Sequence, residues 1–347
     1  MALQDNLARI VEVVSGANLR PAYPPVALDL ASDAISLVRF KAGGRGMPLL
    51  EAHVQRRLDD AILPESIFDS ASTKPEGLGE RIGELFESTG TKANKLSIVI
   101  PDNLAKITLL TLPERPANAR DLDELVRAKM RRAVPFRLED AALSYQLFPG
   151  DSREVSVLVV LVHKALIEQL ETATGELGAR PGLIDLATPN LLNLMRGEID
   201  QLCADGKDVA LLNCASRYFS LVIVRGGRVI FFRCKTFVPA ADGTVGPNGS
   251  LAREVGNSLS YYREKLDGQG IGTVLARSTA VPVSTIAEQL APLGCEDVRA
   301  IDVRHGLRFA DGVRMDGEAS QRLAPAIGAA VGRGAKAVKF ALSGSNS

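Results

Sequence analysis

Residues 26–38 read VALDLASDAISLV and predict the element around which the rest of the fold is built. Apolar residues alternate with small or polar ones as far as Leu30, which is typical of a strand buried on one face, and a second apolar run starts at Ile35. The four residues between the two runs are small or acidic and suit a tight turn. The stretch therefore predicts a β-hairpin with one carboxylate, Asp29, near the end of its first strand.

A hairpin of this composition has the features of a phosphate-binding turn. Small residues let backbone N–H groups approach phosphate oxygens, the hydroxyl of Ser32 adds a donor, and the carboxylate can hold a hydrated Mg²⁺ ion. An ordinary hairpin with a solvated aspartate would have the same residues, so this stretch alone leaves both interpretations open.

A second stretch with the same organisation lies in the other half of the chain. Residues 208–213 read DVALLN, and a small Cys-Ala-Ser turn at 214–216 separates them from strand patterns at 218–224 and 229–232. Two such hairpins, far apart in sequence, predict a duplicated α/β fold with a mixed sheet in each half and a cleft between the halves. A binding site would lie in that cleft.

Composition argues against several classes of protein. Lys plus Arg and Asp plus Glu both number 41, so no net charge attracts nucleic acid or anionic lipid. The four cysteines and three histidines have no metal-ligand or triad spacing, and the cysteines are expected to be free thiols in a reducing cytoplasm. The sequence has no signal peptide pattern and no apolar run of the roughly 18 residues needed to span a membrane. We therefore expect a cytoplasmic globular protein without direct membrane insertion.

The order of sequence blocks resembles the PilM family, the actin-like cytoplasmic proteins of the type IV pilus inner-membrane platform, and more distantly FtsA. The similarity runs from about residue 24 to residue 333. The similar segments are ALDLASDAISLVRF, SIVIPDNLAKITLLTLP, MRRAVPFRLEDAALSYQLF, VLVVLVHKALIEQLETATGELGARPGLIDL, DVALLNCASRYFSLVIVRGGRVIFFRCKTF and LAREVGNSLSYYREKL. No single motif decides the resemblance; the order of the blocks carries it.

The resemblance implies a two-lobed actin-like fold, in which each lobe is an RNase H-like half, with an inserted subdomain of the FtsA and PilM type. The predicted division has five parts: an N-terminal helix at 1–20, a first lobe at 21–94 with 178–203 and 320–340, the inserted subdomain at 95–177, a second lobe at 204–319, and a disordered tail at 341–347.

Members of this family bind ATP in the cleft between the lobes, so the resemblance implies ATP and Mg²⁺ as cofactors. The candidate cofactor-binding residues are Asp29 and Ser32 in the first hairpin, Asn213 and Ser216 in the second, and Glu254, which matches an acidic residue facing the nucleoside.

Three nucleotide motifs depart from the family pattern. In the first hairpin, Ala31 stands where the family pattern has a glycine, and its side chain would crowd the phosphate. Ser36 lies near the position of the family's lysine, so the cation that would neutralise the phosphate is lost. Asn213 replaces an aspartate and brings no charge for Mg²⁺, and Arg277 is a bulky residue where the adenosine motif has glycine. Hydrolysis needs metal, phosphate and water positioned together, so these changes predict a pseudo-ATPase that binds nucleotide weakly or not at all.

The leading functional hypothesis is a scaffold of a type IV pilus or related type II secretion platform. The resemblance implies a partner, the cytoplasmic tail of a PilN-like membrane protein, held in a groove beside the inserted subdomain near strands 96–112 and 143–161. Attachment to the inner membrane would then go through that partner. Two alternatives stay open: an active Mg-ATP-dependent enzyme of the actin and sugar-kinase superfold, and a polymerising protein similar to FtsA. The sequence also leaves open whether the chain forms homo-oligomers.

Overall fold

The computed structural model describes residues 23–42, 46–58, 63–69, 77–114, 116–134, 136–149, 154–237 and 250–331. The helix predicted at 1–20 and the tail predicted at 341–347 lie outside these residues. Across the described ranges, none of the helices has the length and apolar character needed to span a bilayer.

The described residues form fourteen strands and eight α-helices, numbered here in chain order, together with five short 3-10 helices. The strands are β1 Val26–Leu30, β2 Ala34–Phe40, β3 Leu49–Arg57, β4 Lys95–Ile100, β5 Ala105–Leu112, β6 Ala141–Pro149, β7 Val155–His163, β8 Arg180–Leu186, β9 Asp208–Cys214, β10 Tyr218–Arg225, β11 Arg228–Thr236, β12 Ile271–Ser278, β13 Val298–Ala300 and β14 Arg308–Phe309. The helices are α1 Leu78–Ser88, α2 Ala119–Met130, α3 Lys164–Gly175, α4 Ala187–Leu194, α5 Arg196–Leu202, α6 Leu251–Lys265, α7 Val283–Leu290 and α8 Gly317–Val331.

Two of the three sheets share one strand order, so the fold is duplicated as predicted. The first sheet runs β3-β2-β1-β4-β8 with β14 added at the β3 edge, and the second runs β11-β10-β9-β12-β13. In both sheets the first three strands are antiparallel, whereas the last three are parallel to one another. The two predicted hairpins, β1-β2 and β9-β10, therefore occupy equivalent places, and each turn follows the carboxyl end of a central strand.

The third sheet, β5-β7-β6, is antiparallel throughout and forms the core of the inserted unit. Along β7, Val157 and Val159 pack in one cluster with Val126 of α2, whereas Leu158 and Val160 pack into the core of the first sheet. Successive side chains of a strand point to opposite faces, so β7 is buried on both. This explains why its sequence is continuously apolar instead of alternating.

The strand pairing does not place a boundary between units at residue 95, where the inserted subdomain was predicted to begin. Strand β4 lies between β1 and β8 in the first sheet and is parallel to both, so the three-stranded sheet begins only at Ala105. Helix α3, predicted to close the inserted unit, packs against β8 of the first sheet. Residues 308–309, which the predicted division places in the second lobe, form strand β14 and pair with β3. Strand partners depend on tertiary contacts that local periodicity does not report, and the rest of the division stays a prediction.

Helix α8 connects the first sheet to the region between the two sheets. It packs against β1, β2, β4 and helix α4, and the Ser97 hydroxyl donates to the Ala329 carbonyl at 3.0 Å. Gly328 lets α8 approach α4 closely, because a Cβ atom there would meet the backbone carbonyl of Asn190. The N-terminal half of the same helix reaches strand β12 of the second sheet.

Candidate functional site

The turns of the two hairpins meet between the sheets. The hydroxyl oxygens of Ser32, after β1, and Ser216, after β9, lie 2.8 Å apart and share a hydrogen bond. The backbone N–H groups of Ala31 and Ala215 each donate within their own hairpin, at 2.9 and 2.8 Å. One hydroxyl proton of the serine pair and two of the N–H groups predicted to bind a phosphate are thus used in bonds within the protein.

Asp29 is buried, so the interpretation as a solvated aspartate is wrong. Its side chain lies in the centre of the first sheet, on β1, and is 4% exposed. Within the described part of the chain, no hydrogen bond to its carboxylate is found. Burial raises the pKa of Asp29 to about 7; the positive charge of Arg277 opposes the shift, and the carboxylates of Asp33 and Asp102 add to it.

Arg277 is the buried cation of the site. It lies on β12, is 2% exposed, and donates through Nη1 to Asn213 Oδ1 at 3.0 Å. Its Nε donates to the Gln321 carbonyl at 2.9 Å and its Nη2 to the Arg322 carbonyl at 3.5 Å. The guanidinium therefore joins the second hairpin to α8.

Asn213 is fully buried on β9, at the position where the family pattern has an acid. Its Oδ1 accepts from Arg277, and its Nδ2 donates to the Thr188 hydroxyl at 3.0 Å. A neutral amide suits this position, because it accepts from the guanidinium and donates to the hydroxyl at the same time. An ionised aspartate could accept from Arg277 but could not donate to the Thr188 hydroxyl.

Asp102 is a further buried acid at the site that the sequence argument did not select. Its carboxylate accepts from the Thr188 backbone N–H at 3.1 Å, from the Thr188 hydroxyl, and from the Ser220 hydroxyl at 2.6 Å. Burial raises the pKa of Asp102, and these hydrogen bonds and Arg277 oppose that shift. The signal in the sequence is an acid two residues after the buried strand β4, in a segment that the sequence analysis places in the inserted subdomain.

Asp185, on β8, is the third buried acid that lies near the hairpins. One of its oxygens accepts the Leu186 backbone N–H at 2.7 Å, and burial raises the pKa of its carboxyl well above the usual range. The negative charge of Asp102 adds to this shift. Of these three acids, Asp29 and Asp102 interact electrostatically with the Arg277 guanidinium, and the described residues contain no other buried lysine or arginine.

Glu254 is not joined to this cluster by any bond among the described residues. It lies on α6 and forms ion pairs with Arg233 at 3.4 Å and Lys235 at 3.8 Å, both on β11. Arg233 also donates to the Ser258 hydroxyl at 3.2 Å. These partners hold Glu254 against its own sheet, so its predicted role toward a nucleoside stays a prediction.

The donor set in this arrangement does not fit a magnesium–nucleotide complex. The two serine hydroxyls bond to each other, and Asn213 Oδ1 is already bonded to Arg277. No group of three or more His, Cys, Asp or Glu side chains in the described ranges could hold a metal ion. Phosphate binding would need free donors, and Mg²⁺ would need several free oxygen ligands held together. Among the described residues, the Asp29 carboxylate receives no hydrogen bond, and Asp185 Oδ2 and Asn190 Oδ1 are buried without a partner.

Comparison with known proteins agrees with the fold. A family model described as type IV pilus assembly protein PilM matches residues 27–240. The solved PilM-PilN type IV pilus biogenesis complex is similar, with a TM-score of 0.72 and 17% sequence identity over 90% of this chain and 98% of that chain. The actin-like fold predicted from the sequence is therefore confirmed. A search of curated proteins gave no match.

Two more distant structures also align with the chain. One is a protein of unknown function with an actin-like ATPase fold from Bacteroides thetaiotaomicron, with a TM-score of 0.49 and 11% identity over 81% of this chain and 91% of that one. The other is the cytoplasmic domain of EpsL, an inner membrane component of the type II secretion system of Vibrio cholerae, with a TM-score of 0.47 and 10% identity over 91% and 96%.

Proposed function

The chain belongs to the family of type IV pilus assembly protein PilM, and from that premise we propose that it is an actin-like scaffold of a pilus or related type II secretion platform. It holds the cytoplasmic tail of a PilN-like inner-membrane protein. It lies in the cytoplasm and reaches the membrane through this partner. It binds nucleotide weakly or not at all and does not hydrolyse it.

This proposal rests on a contrast between the three-stranded sheet of the inserted unit and the polar cluster between the hairpins. All of the three-stranded sheet, whose strands lie between residues 105 and 163, falls inside the matched range 27–240. The cluster between the hairpins lies only partly in this range. Its two serine hydroxyls bond to each other, and the Asn213 amide bonds to Thr188 and Arg277. A chain that keeps the inserted unit while its cleft is bridged by side chains is better suited to binding a protein segment than to turning over ATP.

An active Mg-ATP-dependent enzyme is the second candidate. The observation in its favour is Asp29, a carboxylate that is buried on the first strand of the first hairpin and receives no hydrogen bond from the described residues. Such a group could position a metal ion if the two serine hydroxyls separated. This candidate predicts Mg²⁺-dependent ATP turnover that is lost in Asp29→Ala.

Calorimetric titration of the full chain distinguishes the two candidates. The probe is a synthetic peptide with the sequence of the cytoplasmic tail of the PilN homologue from the same genome, and a scrambled peptide of equal composition is the control. We expect micromolar binding of the tail peptide alone, with the same affinity in the presence or absence of Mg-ATP, and no heat from Mg-ATP itself. Absence of peptide binding would contradict the scaffold proposal. Turnover that depends on Asp29 would support the enzyme instead.

A further inference from the structure

We propose that Arg277 is a built-in counter-cation that takes the place of a metal ion between the two hairpins and links the two halves of the molecule without a ligand. This inference goes beyond the scaffold function, since it concerns how the cleft is bridged and holds whether or not a tail peptide binds.

The bonds of Arg277 cross from one half of the molecule to the other. The residue lies on β12 of the second sheet, and two of its bonds go to the carbonyls of Gln321 and Arg322 on α8. Helix α8 packs on the first sheet, so these bonds join the halves. Next to Arg277, the Ser278 backbone N–H donates to the Gln321 side-chain oxygen at 2.8 Å, which fixes the same contact.

The acceptors around the guanidinium are two backbone carbonyls and one side-chain amide oxygen. Neutral oxygens of this kind are also ligands for hard metal cations. None of the ion pairs found in the described residues includes Arg277. Both Asp29 and Asp102 interact electrostatically with the guanidinium, which favours their charged forms against the effect of burial.

Arg277 interacts with both hairpins, as a metal ion bound between them would. It bonds to Asn213 of the second hairpin and acts electrostatically on Asp29 of the first, so it serves both motifs predicted to face a metal ion. A buried guanidinium is always charged and brings five donors in a fixed plane. Its positive charge is thus always present, whereas a bound ion would have to be acquired and could be lost.

Other polar bonds between the halves also need no ligand. The Ser32 and Ser216 hydroxyls join the hairpin turns, and the Ser220 hydroxyl of the second sheet donates to Asp102, which follows β4. At the surface, Arg217 Nη1 donates to the Glu65 carboxylate at 2.6 Å. The halves are therefore linked at several points besides Arg277, as expected of a cleft closed by the protein itself.

Thermal melting of the full chain with millimolar Mg²⁺ or with EDTA tests the proposal. We expect the wild-type melting temperature to be the same in both conditions. Arg277→Gln, which keeps polarity but removes the charge, should melt roughly 5 °C lower or more and recover part of this loss with Mg²⁺. Arg277→Lys, which keeps a positive charge, should gain no stability from Mg²⁺. A wild-type protein that is stabilised by Mg²⁺, or an Arg277→Gln variant that does not respond to it, would overturn the proposal.

Two further variants keep the test decisive. Arg225→Gln is the matched control, because Arg225 bonds the buried carboxylate of Asp208 through Nε and Nη2, away from the hairpin turns. It should lose stability without any response to Mg²⁺. If Arg277→Gln does not fold, Asp29→Asn is added to it and also to Arg225→Gln, and a recovery that is larger in the Arg277→Gln background supports the counter-cation role, whereas equal gains in both backgrounds would overturn it. Failure of this second change to restore any folding would overturn it.

Discussion

The hydroxyl oxygens of Ser32 and Ser216 are 2.8 Å apart although 184 residues separate them in the chain. Each serine follows the first strand of its hairpin, and the two hairpins hold equivalent places in two sheets of the same strand order. The bond therefore joins the two copies of the duplicated unit at matching points.

The coupling between these serines can be measured with a double-mutant cycle. Ser32→Ala and Ser216→Ala should each lower the free energy of unfolding by about 1 kcal/mol, and the double variant should cost little more than either, because all three lose the same hydrogen bond. Urea denaturation monitored by circular dichroism gives the three values. Ser88→Ala, which removes a bond inside α1 to the Leu85 carbonyl, is the control and should add to Ser32→Ala in full. Full additivity of the two hairpin variants would show that the bond contributes nothing.

The Asp102 carboxylate should be the most sensitive polar position of the site. Asp102→Ala leaves the Thr188 N–H, the Thr188 hydroxyl and the Ser220 hydroxyl without their acceptor in a buried region, so we expect a loss of about 3–5 kcal/mol in the free energy of unfolding. Ser220→Ala removes a single donor and should cost about 1 kcal/mol. Chemical denaturation of both variants tests the ratio, and equal losses would mean that the Asp102 cluster does not act as a unit.

The two hairpins of the fold were predictable because each is specified by residues close together in the sequence. Alternating apolar residues and a turn of small residues specify the β1-β2 hairpin within a short window, and the same pattern recurs at β9-β10. The place of β4 was not predictable in this way. Its partners β1 and β8 are set by a sheet assembled from distant segments, and the adjacent turn at 101–103 gives no indication of which sheet the strand joins.

The candidate site was likewise predictable only in its local part. Asp29, Ser32, Asn213 and Ser216 were identified from the two hairpins, and the structure brings their turns together. The bonds of Arg277 to α8 depend on a helix that follows it by more than forty residues, so the sequence indicated its bulk but not its partners. Glu254 was selected through the resemblance alone, and its described partners lie on β11.

Asp29 should make the stability of the protein depend on pH between about 4 and 7. Its pKa is raised from 3.8 to about 7, so in this interval the folded chain holds a proton that the unfolded chain has released. The free energy of unfolding therefore falls as pH rises, by up to about 1.4 kcal/mol per pH unit, and this contribution is fully lost above pH 7. Asp29→Asn removes the titration, so the variant should be more stable than the wild type at pH 8 and should lose this advantage toward pH 4.

Asp302 supplies the control with the opposite sign. Its hydrogen bonds with Arg304 hold the pKa of its carboxyl well below the usual range, so it stabilises the fold at neutral pH and loses this effect in acid. Asp302→Asn should therefore destabilise the protein at pH 8 and have little effect at the lowest pH at which the chain stays folded. Denaturation curves across this pH range test both variants. An Asp29→Asn variant that runs parallel to the wild type would show that Asp29 does not titrate in this interval.

The close approach of α8 and α4 at Gly328 predicts a destabilising effect from the smallest side chain. Gly328→Ala places a Cβ atom against the Asn190 carbonyl, so the two helices must separate, and we expect a loss of about 1–3 kcal/mol in the free energy of unfolding. Helix α4 carries Thr188 and α8 carries Arg322, so the shift should also weaken the polar cluster, and Gly328→Ala and Ser220→Ala should be non-additive. Gly175→Ala in α3 is the matched control, because nothing lies within 4 Å of the added atom, and helix propensity should leave it neutral or slightly more stable. Similar losses for the two glycine variants in thermal denaturation would show that the helix contact tolerates a methyl group.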